Sequence, residues 1–324
     1  MNRPRALLIA ASAALGLTAC TGGNFADTPL PTASSSSASS SSPSSTSAPA
    51  TCTNATQSYD PLGSTPPASQ ITDSALRQIV SRGYLRVGVS ADSYLLGAYN
   101  PLDGQIEGFD IDIAKAVAKA LFGSESKLRL VVITAGERIS ALQSGEVDMV
   151  ARNMTMTCGR WTDIAFSSEY YHAGQKVLVT RDNTAQSMED LKGQKVCAPT
   201  GTTSLTKLQE VAAKVGGIDI VTASNHTGCL VLFQQGYVTA ITGDDTVLAG
   251  LAAQDPYAKV TDAAAVTDEP YGLGIAKENV YFVRYVNAVL AQLRNDGGWK
   301  AIYNKWFAAS LGKAPNPPVP VYGR

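Results

Sequence analysis

Apolar and polar positions alternate in two rhythms along most of this chain. Short runs rich in branched and aromatic residues read as strands: Tyr84 to Val89, Leu128 to Ile133, Val147 to Ala151, Lys176 to Thr180, Lys195 to Ala198, Ile218 to Thr222 and Val238 to Thr242. Between them apolar residues recur at helical spacing. Phe109, Ile113, Val117 and Leu121 make one stripe that opens at Gly108, with Lys115 and Lys119 off it. Asp110 and Asp112 fall in its first turn, where the helix dipole favours negative charge. Further helices are predicted over Arg138 to Leu142, Met188 to Leu191, from about Thr203, Cys229 to Gln235, Tyr281 to Gly297 and Trp299 to Phe307. Strands alternating with helices predict an α/β fold of doubly wound, mostly parallel sheets with helices on both faces.

Both ends fall outside this rhythm. Arg3 and Arg5 precede an apolar run from Ala6 to Leu17, too short to span a bilayer, which closes on Leu17-Thr18-Ala19-Cys20. That is the pattern of a lipoprotein signal cleaved before Cys20, whose thiol and amine then carry lipid. Residues 33–50 are almost wholly Ser, Ala, Pro and Thr and have no apolar surface to bury. The expected organisation is a signal over 1–19, a disordered tether over 20–70, a first lobe over 71–173, a second over 174–270, and a return to the first over 271–324. Gly174-Gln175 and Glu269-Pro270-Tyr271-Gly272 are the two expected crossings, making a two-strand hinge with a ligand cleft between the lobes.

Charge narrows the function classes. With 26 basic and 27 acidic residues, net −1, and no basic block, nothing points to nucleic acid. Two histidines, His172 and His226, and no cysteine pair at metal-ligand spacing argue against a metal site, and no cofactor is expected. Five cysteines suit an exported chain. With Cys20 lipidated, Cys52, Cys158, Cys197 and Cys229 remain, which allow three pairings. Cys197 with Cys229 and Cys52 with Cys158 keep each bond within one lobe.

The Gly108 helix entry, followed by Thr155-Met156-Thr157-Cys158-Gly159-Arg160 and Phe166-Ser167, resembles the family 3 solute-binding proteins that deliver polar amino acids to ABC importers. The likeness spans about Ile71 to Phe307. The lipobox and the four cysteines resemble actinobacterial glutamate- and glutamine-binding lipoproteins in particular. The resemblance implies a two-lobed, type II periplasmic-binding-protein-like fold, with two doubly wound mixed sheets. It implies binding of a free amino acid by hinge closure, a permease and its ATPase subunit as partners, and a monomer tethered by lipid to the outer face of the cell membrane.

The same resemblance implies a set of ligand contacts. Arg160 would grip the α-carboxylate with its planar fork, helped by Thr155 and by Thr203 at a helix start. Asp245 would hold the ammonium group, although Asp244 and Asp245 can equally cap the helix that follows. Arg138 stands where binders of acidic amino acids tend to carry arginine, and Arg152 is a second candidate for the side-chain carboxylate. Arg160 and Arg138 against Asp245 and a ligand of net −1 sum to zero, which favours an acidic ligand. A neutral amide ligand would leave an excess buried cation unless water reaches it, and a lysine or arginine ligand fits worst. The alternative for Arg138 is an exposed place on a short helix. Ser90 and Tyr94 lie on the first strand-loop, where the family usually has a polar residue and an aromatic. A sensor signalling to a membrane partner would use the same cleft. An exported enzyme on this fold would need a positioned acid or base, and no unassigned carboxylate pair or Ser/His/Asp set is present, so no enzyme is expected.

Overall fold

A computed structural model describes residues 54–324. The signal segment, Cys20, the Ser-rich stretch and Cys52 lie outside the described residues, and with them the pairing of Cys52 with Cys158.

Five strands form the first sheet in the order Leu128–Val132, Leu85–Val89, Met149–Val150, Gly274–Ala276, Ile164–Phe166. The first three run parallel, and Gly274–Ala276 is antiparallel to both of its neighbours. Leu85, Val87 and Val89 share one core with the stripe Phe109, Ile113, Val117 and Leu121 of the helix Phe109–Phe122, as the periodicity predicts.

The second sheet runs Asp219–Ala223, Lys195–Pro199, Ala240–Asp244, Tyr171–Thr180, Ala258–Val260, parallel over the first three strands and antiparallel beyond. Its two faces bury different clusters. Val177, Val179, Val196 and Ala198 join Leu208 and Val211 of the helix Thr203–Val215. The alternate positions Leu178 and Cys197 join Cys229, Leu230 and Phe233 of the helix His226–Gln234. Period-two alternation with apolar residues at both phases is what a sheet covered on both sides requires. Cys197 and Cys229 are bonded, S–S 2.02 Å, which fastens that helix to the sheet.

One strand runs from one lobe into the other. The first half of Tyr171–Thr180 pairs antiparallel with Asp268–Tyr271, from Tyr171↔Tyr271 to Gly174↔Asp268. From Gln175 on it pairs with Ala240–Asp244. These two strands are the connections between the lobes. Gln175 locks the junction: its side-chain amide donates to Ser204 O at 3.1 Å and Thr242 Oγ1 at 2.8 Å.

Three features were not legible in the pattern. A ribbon of Asp92–Ser93, Gly97–Asn100 and Gln105–Glu107 precedes the Phe109 helix. At their junction Gly108 has φ 149°, and a Cβ there would overlap the Leu96 carbonyl, so only glycine fits. A helix, Ser74–Arg82, is capped by Asp73 Oδ1, which accepts from Leu76 N at 2.8 Å. Residues 54–70, assigned above to the tether, instead pack on the first lobe. Buried Ser58 donates to Phe166 O at 2.8 Å, and Trp161 Nε1 donates to Ala55 O at 2.7 Å. Val321 bridges to Gln57, and the Arg324 guanidinium lies 3.8 Å from the centre of the Trp161 ring. Tyr59 and Leu62 of this strap also pack against the first core, but too few apolar residues lie in it to show a period in the sequence.

Replacing Cys197 and Cys229 together by alanine is expected to lower the unfolding free energy by about 3 kcal/mol, because a cross-link restricts the unfolded chain. An equilibrium denaturant titration measures it; a loss within error of zero would show that the helix is held by packing alone.

Candidate functional site

Arg160 sits on the helix Cys158–Asp163, capped by Thr157, whose Oγ1 accepts from Arg160 N at 3.2 Å. Its guanidinium donates from Nη1 to Thr155 O at 2.7 Å and from Nη2 across the cleft to Gly201 O at 3.2 Å. Thr155 and Thr203 face each other from the two lobes, with Oγ1 atoms 3.4 Å apart. These three sequence-predicted residues border one groove of about 610 Å³ together with Thr157, Gly201 and Glu269.

Arg138 is 3% exposed, so the alternative of a surface residue does not hold. It turns inward from the helix Arg138–Gln143 and meets only carbonyls: Nε donates to Ala135 at 2.8 Å, Nη1 to Arg152 at 3.2 Å and Asn153 at 3.1 Å, and Nη2 to Gly201 at 3.0 Å. Arg152, also buried, donates from Nε to Ile133 O at 2.8 Å and from Nη2 to Asn225 Oδ1 on the opposite lobe at 2.7 Å. Burial lowers the pKa of all three arginines, that of Arg138 furthest because Arg160 and Arg152 also repel it.

The lobes are in contact. A Cβ on Gly201, which has φ +72°, would come within 2.7 Å of Gly136 Cα. One on Gly250 would lie 2.5 Å from Tyr94 O, and Thr227 Oγ1 donates to Asp92 O at 2.9 Å. Glycine at both places lets backbone meet backbone.

The ammonium candidate differs by one residue from the sequence expectation. The strand predicted to end at Thr242 runs on to Asp244, so Asp244 is the residue that faces inward at its end. Asp245 starts the next helix, is half-buried, accepts from Thr246 N at 2.7 Å and lines a separate groove with Lys176 and Thr261. Asp244 is 4% exposed; Tyr271 OH donates to its Oδ2 at 2.6 Å, while Oδ1 is buried without a partner. Burial, and then the nearby Glu269 charge, push its carboxyl up to about 7.

Ser90 and Tyr94 do not join the Arg160 groove. Ser90 is buried and donates to Asp92 Oδ1 at 2.7 Å, which shapes its own loop. The Tyr94 side chain is 47% exposed, and only its backbone enters the lobe contact.

Two carboxylates were not singled out for the site. Asp110, read as a helix-dipole residue, is 2% exposed and accepts from Tyr170 OH at 2.7 Å and Asn153 N at 2.8 Å. Burial pushes its carboxyl up to about 6. It thereby holds Asn153, at φ 35°, in the pose that offers its carbonyl to Arg138. Glu269, read only as part of a crossing strand, is 3% exposed and accepts from Thr155, Thr203 and Thr267. Buried Arg138 and Arg152 and half-buried Arg160 thus share the cleft with three buried carboxylates.

The chain matches the sequence profile of the bacterial extracellular solute-binding proteins, family 3, over residues 85–309. It is 40% identical over 204 residues to a glutamine-binding protein of Geobacillus stearothermophilus, covering 63% of this chain and 76% of that protein. It is 36% identical over 221 residues to the ABC transporter glutamine-binding protein GlnH of Bacillus subtilis strain 168, covering 68% and 80%. It also resembles the solved structure of an ancestral arginine-binding protein bound to glutamine, with a TM-score of 0.64 and 34% identity over 70% of this chain and 98% of that one. By their names these relatives are binding proteins rather than enzymes.

Asp244 generates a pH prediction for the ligand-free protein. An unfolded aspartate titrates near 3.8 and the folded one near 7, so between those values the folded state holds a proton that the unfolded state has released. Stability from this group is therefore present at low pH and lost as pH rises through that window. Asp244→Asn cannot ionise, so it should melt on the order of a few degrees above the parent at pH 8 and close to it at pH 4.5. A difference in melting temperature that stays constant with pH would refute the assignment.

Proposed function

We propose, for a chain that belongs to the bacterial extracellular solute-binding proteins, family 3, the role of substrate-binding component of an ABC importer for polar amino acids with acidic or amide side chains. It works outside the cytoplasm as a monomer, lipid-anchored through Cys20, and hands its ligand to a permease driven by a separate ATPase subunit. The observation that carries this reading is the convergence, from both lobes, of Arg160, Thr155 and Thr203 on one side and Asp244 on the other.

A free amino acid brings a carboxylate, an ammonium group and a side chain, and each needs a partner once water is excluded. Arg160 offers the fork for the α-carboxylate, with Thr155 and Thr203 beside it. The buried, unpartnered Oδ1 of Asp244 suits the ammonium group. Asp244 here takes the role expected of its neighbour Asp245. Arg138 and Arg152 are the donors left for a side-chain oxygen, and Asn225 lies next to Arg152. The glutamine named in both reported relatives fits that end of the site. Closure signals occupancy because the contacts exist together only when the lobes meet.

Calorimetric titration of the chain without its signal segment is the direct test, using glutamate, aspartate, glutamine, asparagine, arginine and histidine after bound ligand is stripped. Tight binding of an acidic or amide amino acid is expected, and none of the six binding would overturn the reading. Arg160→Ala should weaken every ligand at least a hundredfold, from the loss of about 3 kcal/mol when a buried charge loses its partner. Near-parent affinity in that variant would remove Arg160 from the site.

A further inference from the structure

The return strand of the hinge puts a carboxylate of the chain itself where the ligand's carboxylate is expected. Glu269 Oε2 accepts from Thr155 Oγ1 at 2.6 Å and from Thr203 Oγ1 at 2.8 Å, one hydroxyl from each lobe. Its Oε1 accepts from Thr267 Oγ1 at 2.7 Å. Among the described residues no Lys, Arg or His nitrogen lies within 4.0 Å of it. Hydroxyl dipoles hold this charge without cancelling it, so its field extends to Arg160 and Asp244.

Two consequences follow for a ligand. Each threonine hydroxyl has one hydrogen, and both hydrogens point at Glu269, so toward the cleft Thr155 and Thr203 offer lone pairs. The α-carboxylate is therefore left to the Arg160 guanidinium, which Thr155 and Thr203 flank. The charge count also changes. Asp92, Asp110, Asp244 and Glu269 already match or exceed the charges of Arg138, Arg152 and Arg160, so a zwitterion with a neutral side chain adds no net charge to the closed cleft. A dicarboxylic amino acid would leave one negative charge unmatched in a site closed to water, which is costly. The count made from sequence alone omitted Glu269 and Asp110.

We infer that Glu269 determines the ligand class of this cleft, selecting amino acids with an uncharged amide side chain over dicarboxylic ones. This rests on the reading of the cleft as an amino-acid site and deepens it. Glu269→Gln keeps the size and one acceptor oxygen but removes the charge. Glu269→Asp keeps the charge on a shorter side chain.

The test is calorimetric titration of the parent chain and both variants with glutamine and with glutamate at pH 7.5, after thermal melts show that each variant folds. The parent should bind glutamine at least tenfold more tightly. In Glu269→Gln the ratio of the two affinities should shift at least tenfold toward glutamate, about 1.4 kcal/mol. Glu269→Asp should keep the parent's order. A purely structural glutamate would weaken both ligands alike when replaced, so an unchanged ratio in Glu269→Gln overturns the inference. A parent that prefers glutamate overturns it without any variant. A parent that binds neither, nor any other amino acid, overturns the amino-acid reading itself and this inference with it.

Discussion

A guanidinium taken out of water must be given oxygens, and this cleft takes in three. The effective penalty for burying an unmatched ion is several kcal/mol even after relaxation. Here Arg138, Arg152 and Arg160 meet carbonyls of Ile133, Ala135, Arg152, Asn153, Thr155 and Gly201 and the amide oxygen of Asn225. Gly201 and Asn225 belong to the opposite lobe, so each arginine is fully supplied only when the lobes touch. Closure of the cleft and satisfaction of its charges are therefore one event. Carbonyls provide hydrogen bonds but no counter-charge, and Asp110, Asp244 and Glu269 bring that from three different elements.

The hinge makes this coupling mechanical. One ten-residue strand, Tyr171–Thr180, begins in the first lobe and ends as a member of the second sheet. The return strand beside it carries Glu269 and Tyr271, which touch Thr155 and Thr203 and Asp244 respectively. Groups that line the cleft are thus bonded to the strands that connect the lobes. Behind Arg160, the strap around Ser58 and the segment ending at Arg324 brace its helix through Trp161. Both lie outside the residues matched by the family profile.

Three of the expected site residues border one groove. Arg160, Thr155 and Thr203 were recognisable because local signals place them: a threonine before a short helix, and a Ser/Thr-rich helix start after a strand. The geometry offers Asp244 rather than the expected Asp245 for the proposed ammonium contact, because a strand end carries no sharp sequence signal. Two further residues of strand turn Asp244 inward and leave Asp245 to start the helix. Arg138 reads equally as surface or core on a six-residue helix, where the period is too short to define a face. Ser90 and Tyr94 were displaced by the ribbon at Asp92–Ser93, whose turns the alternation did not reveal.

Local spacing of apolar residues by itself determined the strands, most of the helices and the alternating α/β class, because a half-buried element must present its apolar positions at its own period. The family resemblance of short motifs in the sequence added the two lobes and the arginine beside the cleft. Only the tertiary structure decided which carboxylates balance that arginine. Asp244 lies 84 residues after Arg160 and Glu269 lies 109 after it by residue number. Charge acts through space rather than along the chain, so no window on the sequence could have joined them.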